Sequence, residues 1–440
     1  MTPQSRPSRR LDHAHAGLRA AALLAVPLLT FAGCSKADRE NGGAASAAGE
    51  GVPAGASMEE YQEALADVDP IDLTFQVSSA TAESTSGQRD AAFAESIEEW
   101  SGGAITVEVM YGNSVAPPDD IAGALADGRL DLAHWLTSYH ADEMKAFVDV
   151  QNSLVSLPSS PLQGEIVSHL VAQEASFDSP EVMAEFEAQG MTVLNPYNTF
   201  GATALACTEE KASTSDFADS QIRANAAAQT QQIEALGGSS VSLQLAETYE
   251  GLQRNVIQCT FGSPTSITGF GWVETAANVY VPEDSSFVSG PGSIVAGASW
   301  EQLPLAAQQL IFDRMVSYNL AELGNSFVST QALAAGAQEH GGGMHFLDAE
   351  SSAAVREGNE KILEGVRSSE NLDGEQLLED VGASAERWTE ITEELGYVDE
   401  GDYLDFAQWY QGSGEVVDTE YLTPLIDRFY EEVLAERRPG

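Results

Sequence analysis

The sequence predicts an α/β chain built as two lobes. Strand-type alternation and helix-type spacing succeed one another from residue 71, and the succession restarts near residue 192. A length of 440 residues also exceeds what one hydrophobic core organises. Ile71, Leu73, Phe75 and Val77 alternate as a strand does. Phe93, Ile97 and Trp100 recur at helical spacing until Ser101-Gly102-Gly103 stops them. Ile105, Val107 and Val109 alternate again, a helix over 118–127 ends at Gly128, and LDLAHW (130–135) resumes as strand. In the second succession MTVLNPY (191–197), GATALAC (201–207) and QIRAN (221–225) read as strands. A helix over 227–238, the strand VSLQL (241–245) and a helix over 247–258 with Tyr249, Leu252 and Val256 on its buried stripe follow. After Trp300 a long helix opens with Pro304 near its first turn, where proline is tolerated. Gly341-Gly342-Gly343 reads as a turn between helices. Residues beyond about 350 are acidic and amphipathic, anchored by Trp388, Trp409 and Tyr410. Such alternation predicts largely parallel sheets.

Charge excludes several function classes. Asp and Glu number 68 against 20 Lys and Arg, a formal net charge of −48. Nucleic acid is excluded as a partner, because phosphate binding needs clustered cations. Adsorption to anionic headgroups is disfavoured for the same reason. The acids read as a hydrated surface, and no calcium-loop spacing occurs among them.

The N-terminus has the layout of an export signal. Arg6, Arg9, Arg10 and Arg19 form a basic region, Ala20–Phe31 is apolar, and Ala32-Gly33-Cys34 completes a lipobox. Residues 1–33 are therefore expected to be removed and Cys34 to carry a lipid, with the protein extracytoplasmic and attached to the membrane by that lipid only. Residues 34–70, rich in Gly, Ala, Ser and Glu, read as a disordered tether. With Cys34 lipidated, Cys207 and Cys259 remain in an oxidising compartment, where they are expected to pair, the other reading being two separate buried thiols.

Catalytic and metal motifs are missing. No H-E-x-x-H, G-x-S-x-G or phosphate-cradling glycine motif occurs, and the seven His are scattered. No enzyme activity, cofactor or metal is expected. Arg223 stands apart from the other cations between residues 50 and 350. It follows Ile222 in a short strand and precedes Ala224, Asn225 and Ala226, where a planar guanidinium can meet a carboxylate bidentately. An internal salt bridge is the alternative reading.

Several stretches resemble the solute receptors of tripartite ATP-independent periplasmic (TRAP) transporters, the DctP-like family. They are FAESIEEWSGGAITVEVMYGNSVAPPDDIAGALADGRLDLA, DFADSQIRANAAAQTQQIEALGGSSVSLQLAETYEGLQRNVIQCTFGSP, WVETAAN and SWEQLPLAAQQLIFDRM, in the family's order over roughly residues 70–330. The resemblance implies a periplasmic-binding-protein-like fold of two α/β lobes hinged by crossing strands, with a long helix (304–338) spanning both. Lobe 1 would be 71–198 plus 289–330 and lobe 2 199–288 plus 331–349, followed by an acidic helical extension over 350–440. It also implies binding of a small organic acid and docking on TRAP membrane subunits, with a ligand sensor signalling to a membrane partner as the alternative. Arg223 falls on the family's arginine that pairs with the ligand carboxylate. Ser78, Trp135, Thr137, Gln244, Leu245, Phe261 and Gly262 fall on lining positions. Gly262 stands where the family commonly has an asparagine, and a second arginine near Thr203 is missing. A monocarboxylate with an apolar body against Trp135, Phe261 or Trp272 fits these departures.

Overall fold

The strands that start at Ile71 and at Ala204 seed two separate sheets. The computed structural model describes residues 51–157, 159–198, 202–211 and 213–440; residues 1–33, Cys34 and the tether up to residue 50 lie outside them. In chain order the strands are β1 Ile71–Gln76, β2 Ile105–Met110, β3 Leu132–Trp135, β4 Thr192–Asn198, β5 Ala204–Cys207 and β6 Gln221–Ala224. β7 Ser239–Ser242, β8 Cys259–Gly262, β9 Asn278–Val281, β10 Gly292–Ala296 and β11 Gly343–Phe346 complete the set. One sheet has the order β2-β1-β3-β10-β4 and the other β11-β9-β5-β8-β6-β7.

The sheets are mixed, where the sequence predicts largely parallel ones. β10 runs antiparallel to β3 and β4, and β5 runs antiparallel to β8 and β9. The reason is the connectivity. β4 leaves the first sheet towards β5 in the second, and β9 of the second leads back to β10 in the first. Each incoming strand therefore enters its sheet against its neighbours. The remaining pairs (β1 with β2 and β3, β6 with β7 and β8, β9 with β11) are parallel and come from helix-connected crossovers. Cys207 and Cys259, directly opposite one another on β5 and β8, are joined in a disulfide.

Several element boundaries differ from the sequence reading. β7 covers 239–242, earlier than the run VSLQL. The helix after it spans only Thr248–Gln253, because Asn255 turns the chain at φ 56°, and Val256 is exposed. The long helix is two, Leu305–Asp313 and Met315–Glu339, meeting at Arg314, whose guanidinium lies 3.4 Å from the Trp100 ring centroid. Gly341–Gly343 turns the chain into β11 rather than into another helix.

Residues 51–69 are ordered, where a tether to residue 70 is expected. Helix Met58–Leu65 opens on a capping box made by Ser57 and Glu60, and it buries Tyr61 and Leu65 completely. The Tyr61 hydroxyl donates to Asp313 at 2.6 Å. Arg438, near the C-terminus, ties the same group together by bonding Asp313, Tyr61 and the carbonyl of Val52. Both ends of the described chain are thus clasped to one helix terminus.

Residues beyond 349 are helical: Ala349–Arg367, Gly374–Leu395 and Thr419–Phe429 are the longer pieces. Ala349–Arg367 packs Val355 into the core of the second sheet, while the other two merge with the core around the first. Val381, Trp388, Leu422, Leu425 and Phe429 are fully buried in it. Asp399 caps the start of helix Gln163–Asp178 by accepting from Leu162 N, Gln163 N and Ser160 Oγ. Tyr403 of the same loop packs in the apolar cluster of the second sheet, and its hydroxyl meets Ser159 Oγ at 3.0 Å.

Candidate functional site

Arg223 sits on β6 between β7 and β8, so both its flanks are covered and its side chain is fully buried. Its three nitrogens bond only neutral oxygens. Nε donates to the Leu243 carbonyl at 3.0 Å, Nη1 to the Phe261 carbonyl at 3.3 Å, and Nη2 to the Tyr139 hydroxyl at 3.2 Å. Among the described residues no carboxylate lies within salt-bridge distance of it, so the internal ion pair is not formed. Its guanidinium carbon is 5.4 Å from the Trp272 ring centroid, a cation–π contact that partly offsets desolvation. Burial lowers its pKa from the ordinary arginine value, opposed by Tyr139. Dipoles alone thus hold this cation, with no counter-charge among its hydrogen-bond partners.

The Tyr139 bond crosses from one lobe to the other. Tyr139 ends the turn Thr137–Tyr139 that follows β3 of the first sheet, and Arg223 belongs to the second. Around it lies a crevice of about 310 Å³ that Asp119, Ser138 and Tyr139 line from one side and Asn225, Thr230 and Gln244 from the other. A narrower recess continues beside Tyr139 and Asn225, with Ser78, Leu245, Thr265 and Phe270 on its walls.

Four of the residues expected at the site come together there: Arg223 behind the wall, and Ser78, Gln244 and Leu245 on it. Four do not present their side chains. Trp135 turns into the core of the first lobe, 4.5 Å from the His140 ring centroid and edge-on to Phe186, because β3 is buried on both faces. Thr137 is buried and its hydroxyl is committed to Ser293 at 2.6 Å. The Phe261 ring packs edge-on to Phe287 in the core of the second lobe, and only its carbonyl reaches Arg223. Gly262 faces Trp272: a Cβ there would lie 2.7 Å from the indole Cζ3, so glycine admits the ring that underlies Arg223. Trp272 itself is fully buried beneath that guanidinium, so its ring has no open face on the crevice. Tyr139, Asn225, Thr265 and Phe270 were missed. A tyrosine four residues past a buried strand was the available signal for the first; the others carry no motif.

The recess is backed by a buried charge network. Ser78 Oγ meets His134 Nδ1 at 2.9 Å, and burial pushes that histidine down to about 3, so it is neutral. Ser79 Oγ donates to Asp90, which shares Arg89 with Glu322 of helix Met315–Glu339. No group of three or more His, Cys, Asp or Glu among the described residues is placed to hold a metal.

A second buried acid lies where the chain crosses between the lobes. Glu165 accepts from Ser326 Oγ at 3.0 Å and lines a small cavity with Thr203, Ser289 and Tyr403. Burial raises its pKa to about 7, against the bonds from Ser326 and the Ala202 backbone. The folded protein therefore holds this proton to higher pH than the unfolded chain, which releases it near ~4.3. Folding should become less favourable as pH rises from about 4.3 to 7, by up to about 4 kcal/mol. In urea titrations the stability of Glu165→Gln relative to the wild type should rise steadily from pH 4 to pH 8. Parallel wild-type and variant midpoints across that range would refute the assignment.

Comparison with known proteins agrees with this architecture. Residues 77–369 match bacterial extracellular solute-binding protein family 7, DctP, and the chain belongs to that family. Three solved structures share the fold. The sugar acid binding protein DctPAm of Advenella mimigardefordensis, in complex with galactonate, is 17% identical with a TM-score of 0.60, over 73% of this chain and 100% of that one. DctP7 of Bordetella pertussis, an extracytoplasmic solute receptor binding pyroglutamic acid, is 15% identical with a TM-score of 0.60, over 71% and 99%. A marine metagenome TRAP solute binding protein in complex with 3-hydroxybenzoate is 16% identical with a TM-score of 0.62, over 73% and 99%. A search of curated proteins finds no match.

Proposed function

We propose that this chain captures a small organic acid between its lobes, with the acid's carboxylate on Arg223, and delivers it to TRAP membrane subunits. The observation that carries the reading is a fully buried guanidinium whose hydrogen bonds all go to neutral oxygens beside an interlobe crevice. Solved members of the fold hold galactonate, pyroglutamate, 3-hydroxybenzoate and L-malate, which supports a small organic acid. Closure would exclude water from the pair, and a charge-assisted contact is strong in such a setting. The protein would act outside the cytoplasm, anchored through a lipid on Cys34, which lies outside the described residues.

Trp272, 5.4 Å below Arg223, offers an internal reporter. Titration with a broad panel of monocarboxylic acids should change tryptophan emission saturably for at least one, at micromolar concentration. Absence of both an emission change and calorimetric heat for every acid would end this reading.

A further inference from the structure

Two polar atoms in the recess beside Arg223 have no partner among the described residues. Thr265 is 4% exposed, yet its Oγ1 meets no acceptor or donor. Asn225 is half-buried, but its Oδ1 is enclosed and likewise unmatched. A buried polar group left in that condition is costly, so two of them sharing one recess point to something that satisfies both. Their placement follows from the sheet. Asn225 stands two residues past Arg223 at the carboxyl end of β6. Thr265 lies in the first turn of helix Pro264–Gly269, just after β8, whose Phe261 carbonyl holds Arg223 Nη1. β6 and β8 are parallel neighbours, so both atoms emerge at the same edge, where open α/β sheets take their ligands. Tyr139, whose hydroxyl touches Arg223 Nη2, shares the recess with them.

We propose that the site selects a hydroxylated monocarboxylate, a hydroxy acid whose hydroxyl is held by Thr265 and Asn225 while Arg223 holds its carboxylate. The inference rests on the carboxylate reading above and refines it. A hydroxyl suits the pair because it can both donate to Asn225 Oδ1 and accept from the Thr265 hydroxyl. An ammonium group would satisfy Asn225 too, but it needs a counter-charge, and the nearby carboxylate, Asp119, lines the wider crevice rather than this recess. A plain hydrocarbon acid would leave both atoms as they are. Sites built to bond a hydroxyl discriminate strongly against analogues that lack one.

The test is a calorimetric comparison of matched acids: lactate with propanoate, mandelate with phenylacetate, gluconate with hexanoate, and alanine as the amino counterpart of lactate. The hydroxylated member of a binding pair should be at least about tenfold tighter in the wild type. Thr265→Val, which keeps shape and removes the hydroxyl, should cut that ratio to about twofold or less, and Thr265→Ser should restore it. Equal affinity within the pairs, preference for the deoxy or amino member, or a ratio that survives Thr265→Val would overturn the proposal while leaving the carboxylate anchor standing. Failure of every acid, hydroxylated or not, would instead remove the anchor, and this inference with it.

Discussion

Arg223→Met should weaken acid binding by at least about 100-fold while leaving the unliganded protein folded and close to wild type in stability. The two halves of this expectation have one cause. Truncating one partner of a buried charge pair costs about 2–5 kcal/mol, because the other charge loses its only match. In the unliganded protein the guanidinium already bears its desolvation with no anion in return. Removing it releases that cost, offset by the Leu243 and Phe261 carbonyls it would leave bare, so the net change should stay within about 1 kcal/mol. Calorimetry with the acid found in the panel and urea denaturation without it measure the two halves. Retained affinity would show that the anchor is elsewhere, and collapse of the unliganded fold would show that Arg223 is structural.

The opposite pattern is expected at Arg89. This arginine is fully buried, with Asp90 at 2.6 Å and Glu322 at 2.5 Å, and it links helix Thr85–Trp100 to helix Met315–Glu339. Burial acts against its charge, but Asp90 and Glu322 hold its pKa well above the ordinary arginine value. Arg89→Met should destabilise the protein by about 3–5 kcal/mol at pH 8, since it strands two carboxylates in the core. Arg89→Met/Asp90→Asn/Glu322→Gln should recover most of that loss, because no buried charge remains. A triple variant no more stable than the single one would mean that packing, not charge, governs the site. The contrast separates the two fully buried arginines: one is matched by carboxylates of its own chain, the other only by neutral oxygens.

The legible part of the sequence was whatever periodicity or flanking chemistry encodes. Strand alternation at Ile71–Val77 and the helix stop at Ser101-Gly102-Gly103 located the first lobe. The small residues after Arg223 singled out that arginine before any fold was known. Side-chain direction was not legible at β3, because a strand buried on both faces shows no alternation, and the resemblance carried over the segment without saying which way Trp135 and Thr137 point. The tether was drawn too long for a different reason. Gly, Ala and Ser dominate the segment, but Ser57 and Glu60 spell a capping box, and Tyr61 and Leu65 are spaced to bury on one face. Thr265 and Asn225 carry no periodic signature. Their meaning depends on two strands of the sheet ending side by side.

Tyr403 sits among residues of the second lobe while bonding Ser159 of the first, giving the two halves a junction besides their crossing strands and long helix. Any swing of the lobes must shear or carry this junction, so its strength enters the equilibrium between gaping and shut forms. Apparent affinity scales with the population of the competent form. A tyrosine far along the chain from Arg223 can therefore set how tightly the receptor holds its cargo without ever touching it.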